Sequence, residues 1–285
     1  MILITGATGH LGSAVIDSLL KQTDAAEIVA LVRSEEKGQS LKDKGVNIKI
    51  GSYDDIASLE KAMQGVDKVL LISGMDEHRL EQHKNVVNAA KQADVKLIGY
   101  TSVALTDWKA SENALMNSHF ETEEYIKESG LNYAFFRNTL YADALPMFLG
   151  EQVFERGIFL PAGDGKVQYV SRTEMAEGIA NALVSDDVDH KVYDIVNTQA
   201  YSFADVAAIL SDLAGKNISY TAADTEAFIS VMKDAGVPGY AIDLTVGFCT
   251  DIRNDVMDVP SNDLKELLGR EPKDLKQSLK EIYSL

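Results

Sequence analysis

The 285-residue chain reads as an α/β protein, a doubly wound parallel sheet with a smaller, mostly helical C-terminal lobe. Three observations predict this. Seven short apolar runs, at 2–4, 27–32, 46–50, 68–72, 96–101, 131–137 and 191–196, alternate with helix-length segments, as parallel strands and their crossover helices do. Three glycines, in Thr5-Gly6-Ala7-Thr8-Gly9-His10-Leu11-Gly12, follow the first run and open a helical pattern. After about residue 140 the alternation loosens into the turn-rich Pro161-Ala162-Gly163-Asp164-Gly165 and then into helices. The chain is expected to be one unit, with 1–140 mainly the sheet core and 141–285 mixing late core elements with the lobe.

The elements follow in order. Ile2-Leu3-Ile4 is the first strand, and Leu11, Ala14, Val15, Ser18 and Leu19 recur at helical spacing after the glycines. Strand, glycine turn and helix together are the context that a dinucleotide-binding, Rossmann-type turn demands. Glycine tolerates positive φ, lets backbone amides approach a pyrophosphate, and leaves the helix N-terminus to supply free N–H donors. In such a sheet ligands bind at the carboxyl ends of the strands where the winding reverses. The site is therefore expected among Gly6 to Gly12, Arg33 after the second strand, Ser73-Gly74-Met75 after the fourth, Thr101-Ser102 at the fifth and Asn138 after the sixth. Further on, Ser171-Arg172-Thr173-Glu174 has the form of a capping box and starts a helix, and 202–214, 225–235 and 261–268 read as helices covering the open end of the sheet.

Composition narrows the function. A net charge of −17 without any Lys/Arg run disfavours nucleic acid and anionic membrane surfaces as partners. Cys249 is the only cysteine, which excludes an intrachain disulfide and makes the cytosol the default. No apolar stretch is long enough to cross a bilayer, and a first strand at Ile2 is expected to leave no room for a signal peptide. His10, His78, His83 and His190 show no metal-ligand spacing, and no metal is expected.

Arg33 stands where a ribose 2′-hydroxyl is usually met by Asp or Glu, and an arginine there pairs with a 2′-phosphate, which argues for NADPH over NADH. A short-chain dehydrogenase base would be a tyrosine followed four residues later by a lysine, and the chain contains no such pair. Tyr133 and Arg137 come nearest, but they lie inside an expected strand, where residues four apart form no helical pair. Without a positioned proton donor, an electron-poor acceptor that takes hydride directly fits better than an ordinary ketone.

Thr5 to Gly12, Arg33, Tyr100-Thr101-Ser102, His119-Phe120-Glu121-Thr122-Glu123, Ser129 to Tyr133 with Arg137-Asn138, Gly163-Asp164-Gly165-Lys166, Arg172 and the segment from Asp263 to Gly269 together resemble the NmrA-like atypical short-chain dehydrogenases, in their quinone-reductase branch. The resemblance implies a cytosolic, NADPH-preferring protein whose C-terminal lobe forms one wall of a cleft for a quinone-like small molecule. It implies that Gly6, Ala7, Thr8, Gly9, His10 and Leu11 hold the pyrophosphate, Arg33 the 2′-phosphate, and Ser73, Gly74 and Met75 the middle of the cofactor. Asn138 and Tyr141 then lie near the nicotinamide and Arg172 at the cleft wall. Gly74 and Met75 replace part of a serine run found in that branch, so hydroxyl contacts are lost there.

His119 falls near the region where members of the broader family place a catalytic lysine, and it is either a proton donor and acceptor-orienting group or a helix-start residue that caps or packs. Tyr141 is open between cleft contact and core, Glu121 and Glu123 read as a solvated helix face, and Ser102 lacks the tyrosine partner that would give it a role. Two functions remain: a reductase passing hydride from NADPH to a quinone or similar acceptor, and a non-catalytic NADP(H)-binding redox sensor acting through protein partners.

Overall fold

The computed structural model describes residues 1–185 and 187–285. Seven parallel strands form the main sheet in the order β3-β2-β1-β4-β5-β6-β8. They are β1 (Ile2–Ile4), β2 (Ile28–Val32), β3 (Asn47–Ile50), β4 (Lys68–Leu71), β5 (Leu97–Val103), β6 (Tyr133–Asn138) and β8 (Lys191–Ile195), and all seven coincide with expected runs. The winding reverses between β1 and β4, whose register pairs Leu3 with Val69.

Alternation along each strand divides the core into two layers, because successive side chains point to opposite faces. Ile4, Ile28, Ala30, Val32, Leu70 and Phe136 pack on one face with α1 (His10–Leu19), α2 (Glu35–Lys42), α8 (Arg172–Val184) and α12 (Asp263–Leu268). Leu3, Val29, Leu31, Val69, Leu71 and Phe135 pack on the other with α3 (Ile56–Met63), α4 (Arg79–Gln92) and α5 (Ala114–Ser129).

A third cluster builds the lobe. It joins α6 (Leu145–Leu149), α7 (Val153–Arg156), α9 (Phe203–Ala214), α10 (Thr225–Asp234), α11 (Gly239–Arg253) and α13 (Leu275–Tyr283) around Phe203, Val206, Ile242, Cys249 and Leu279. The lobe also holds a second parallel pair, β7 (Ile158–Leu160) with β9 (Tyr220–Ala222), that the sequence pattern did not reveal. Among the described residues no helix is long and apolar enough to cross a membrane.

Two local expectations need correction. Ser171 does cap α8, its side chain accepting from Glu174 N–H, but the reciprocal half of the box is absent. The Glu174 carboxylate instead accepts from Arg270 Nη1 at 2.6 Å and from Lys273 N–H at 3.0 Å, tying α8 to the segment after α12. Glu123 is not on a solvated face: its side chain is 1% exposed and accepts two bonds from Arg137, at 2.9 and 2.7 Å, across the α5–β6 layer.

Removing one member of such a pair strands a buried charge. Glu123→Ala is expected to lower the unfolding free energy by about 3 kcal/mol, at the low end for buried pairs because Arg137 keeps some water contact. Glu121→Ala, on the exposed side of the same helix, is expected to change it by less than about 0.5 kcal/mol in the same urea titration.

Candidate active site

The turn after β1 is held by its own backbone. Gly6 adopts φ +56°, and its carbonyl accepts from Gly9 N–H at 2.9 Å. A Cβ on Gly12 would stand 2.2 Å from that carbonyl oxygen, so only glycine lets α1 start this close to the strand. Gly9 caps α1 with no side-chain bond, leaving the helix N-terminal donors for a ligand. Thr5 fixes the strand ends beneath: its hydroxyl donates to Leu70 O at 3.1 Å and accepts from Ile72 N–H at 2.9 Å, while Tyr53 donates to Ile72 O.

A groove of about 340 Å³ runs over this turn, lined by Gly6, Thr8, Gly9, Arg33, Tyr53, Ser73 and Gly74 among others. Lys37, one helical turn beyond Arg33, lines it too and is a second cation that the sequence reading passed over. The remaining expected residues divide. His10 is exposed at the turn, whereas Ala7 and Leu11 are buried, and none of the three lines the groove. Gly74 N–H is already donated to His83 Nε2 at 3.4 Å. Met75, 70% exposed, lines a neighbouring cavity rather than the groove.

At the ends of β5 and β6 lie polar atoms with no protein partner. Ser102 and Asn138 are each 4% exposed, and Ser102 Oγ and both Asn138 amide atoms are without hydrogen bonds. Buried polar atoms left unpaired are costly, and a ligand carrying an amide or hydroxyl would satisfy them. Together with the glycine turn and the paired cations, these atoms fit a phosphorylated dinucleotide lying across the switch point. Tyr141 is half-buried with the Arg172 guanidinium 4.2 Å from its ring centre. Burial pushes its phenol up, opposed first by the charge of Arg172 and then by the neighbouring Asn138 amide. Arg172 is not a free cation, since it is ion-paired with Asp143 and its N–H donates to the same carboxylate at 2.8 Å.

His119 lies inside α5, where Asn113 provides the cap, and is 8% exposed. It therefore packs and does not cap. Arg79 Nη2 stands 3.1 Å from its Nε2 and 3.4 Å from its Nδ1, and the Tyr100 hydroxyl lies 3.1 Å from Nδ1. Burial, then the nearby Arg79 charge, holds His119 well below the usual histidine range. His83, fully buried, is lowered to about 3 by the same two causes. It accepts from Gly74 N–H and donates from Nδ1 to Thr122 Oγ1 at 3.0 Å, and the Thr122 hydroxyl in turn donates a hydrogen bond to Ser118 O. Both imidazoles are neutral at pH 7. Arg79 itself, on the first turn of α4, was not singled out by the sequence, and nothing in its neighbourhood of polar residues marks it. Among the described residues no group of three or more His, Cys, Asp or Glu is arranged to hold a metal.

The fold and the groove define a dinucleotide-binding doubly wound protein with a cleft between sheet and lobe. The chain belongs to the NmrA-like family, whose sequence profile matches residues 1–276. It is 34% identical to Quinone oxidoreductase 2 of Escherichia coli over 287 aligned residues, covering 100% of this chain and 99% of that one. Among solved structures it superposes on the NADPH complex of the Escherichia coli NADPH-dependent quinone oxidoreductase with a TM-score of 0.92 and 35% identity, covering 99% and 100% of the two chains. The NADP(H) complex of Citrobacter sp. triphenylmethane reductase gives the same TM-score of 0.92 and 35% identity, with 99% and 100% covered.

Two outcomes are expected. Charge-assisted bonds are worth about 1.5–3 kcal/mol, so Arg33→Ala is expected to weaken NADPH binding roughly 10- to 100-fold and leave NADH binding unchanged, as read by titration calorimetry. The buried histidines make stability fall in mild acid. Between about pH 6.5, where an unfolded histidine takes its proton, and the folded value of about 3 for His83, the unfolded chain binds more protons. Urea unfolding at pH 7, 6 and 5 is expected to show falling stability, by up to about 1.4 kcal/mol per pH unit for each such histidine, and His83→Gln is expected to make the fall shallower.

Proposed function

We infer that this chain is an NADPH-dependent oxidoreductase that passes hydride to a quinone or a similarly electron-poor small molecule. The observation that supports it best is the adjacency of the groove, with Arg33 and Lys37, to an open cavity of about 550 Å³ in which Met75 meets Tyr240 and Leu244 of the lobe. A second, mostly apolar cavity of about 930 Å³ shares Tyr240 and Leu244 and gives a planar acceptor or its substituents room. A redox sensor does not require such space beside the reactive end of the cofactor.

When bound, NADPH supplies the hydride. In this reading Gly6, Thr8, Gly9 and the backbone of Ala7, His10 and Leu11 hold the pyrophosphate, and Arg33 with Lys37 holds the 2′-phosphate. Ser73 and Gly74 flank the middle of the cofactor, while Asn138 offers its unpaired amide to the carboxamide and Tyr141 borders the ring. Arg172 acts through Tyr141, whose ring it covers. His119 is a positioning residue: neutral and bonded to Arg79 and Tyr100, it orients that pair, and the proton that completes reduction comes from water. Holding two planar rings in attack geometry supplies much of the rate. We place the enzyme in the cytosol and without a nucleic-acid partner, on its charge of −17 and its single cysteine.

Following the nicotinamide absorbance while a panel of benzo- and naphthoquinones is added tests this directly. Quinone-dependent oxidation of NADPH is expected. Tight NADP(H) binding with no oxidation across the panel would return the chain to the sensor class.

A further inference from the structure

Arg79 is 4% exposed, yet no carboxylate among the described residues pairs with it, whereas Arg137 and Arg172 each have one and Arg270 has two. Its partners are neutral: Nη1 donates to Leu115 O at 3.2 Å and Nη2 to the His119 ring, and Nε has no partner at all. A buried charge without a counter-ion is expensive, and the surroundings do nothing to cancel it. Both neighbouring histidines are held neutral, partly by Arg79 itself. The residue lines the cavity of about 550 Å³ together with Met75, Leu115, Ser118, Tyr240 and Leu244. Asp76, Glu77 and Glu121 also border this cavity, but all three are exposed, where water and salt screen them. Among the described residues, Arg79 is therefore the one buried charge on the wall of this cavity.

We propose that Arg79 sets the charge class of the acceptor, selecting neutral or anionic molecules that gain negative charge when hydride arrives and opposing cationic ones that lose their charge. The proposal rests on the reductase reading and refines it. A quinone that takes a hydride, two electrons and a proton, becomes a hydroquinone monoanion while NADPH becomes NADP⁺, and a proton from water then gives the hydroquinone. The new oxyanion forms in the field of a fixed guanidinium that needs no reorganisation, which lowers the barrier. A triarylmethane cation that takes the same hydride becomes neutral, so the same field favours neither its entry nor its reduction.

The test compares kcat/KM for a neutral naphthoquinone, a sulfonated naphthoquinone and a triarylmethane dye cation in the wild type, Arg79→Gln and Arg79→Lys, with NADPH affinity measured separately by fluorescence. Arg79→Gln is expected to lose about 100-fold on the two quinones, nothing on the cation, and less than about threefold in NADPH affinity. Arg79→Lys, which keeps the charge, is expected to retain most of the wild-type selectivity. Equal losses on all three acceptors, or an unchanged ratio, would overturn the proposal. Should Arg79→Gln fail to fold, inhibition of wild-type quinone turnover decides: a naphthalene sulfonate is expected to compete at concentrations at least about tenfold below those of a trimethylammonium naphthalene, and the reverse order overturns the assignment. Absence of any turnover in the wild type counts against the reductase reading, whereas turnover without charge selectivity counts against Arg79 alone.

Discussion

The carbonyl oxygen of Gly6 is the reference point of this structure. Gly12 lies against it so closely that any side chain would collide, and that contact brings the first turn of α1 onto the carboxyl end of β1. Because β1 is central, with β2 on one side and β4 on the other, the free amides of the helix face the place where the winding reverses. Arg33 and Lys37 approach that point from the β2 side, Ser73 from the end of β4, and Asn138 from the end of β6. In the proposed reading, the glycine contact is what lets these groups share one ligand.

A second arrangement lies beneath the cleft. Arg79, His119, Tyr100 and His83 form a buried polar cluster whose only net charge is the guanidinium. The histidines are fixed as neutral acceptors, so neither is a strong acid near pH 7. In the proposed reading the chemistry left to the protein is positioning and electrostatics, with protons drawn from solvent. This fits the absence of a tyrosine–lysine pair and explains why a histidine near the cleft need not be an acid to matter.

The sheet was legible because its central strands, such as β2 and β5, are continuous apolar runs buried on both faces, while the part-exposed edge strands β3 and β8 were marked by their place between helix-length segments. The β7–β9 pair was not, since Ile158–Leu160 and Tyr220–Ala222 are three residues each and pair only through the lobe's tertiary packing. Helices α11 and α13 were not singled out, although in α13 Leu275, Leu279, Ile282 and Tyr283 recur at helical spacing behind an Asp274 cap. Gly6, Gly9 and Arg33 were readable from position after a strand, and Lys37 would have followed from asking which cation lies one helical turn past Arg33. Arg79 carried no such signal: its importance comes from burial and from the lack of a partner, which only the three-dimensional neighbourhood defines. Glu123 was misread for the same reason, its partner Arg137 lying 14 residues on in an adjacent strand.

The central claim is that hydride moves straight from the nicotinamide to the acceptor with no protein acid in the slow step. Single-turnover oxidation of NADPH carrying deuterium at the transferred position, run in light and in heavy water with a saturating quinone, tests it. The account predicts slowing by the cofactor label and little by heavy water. A large solvent effect with a silent cofactor label would contradict it and put a protein proton donor back into the mechanism.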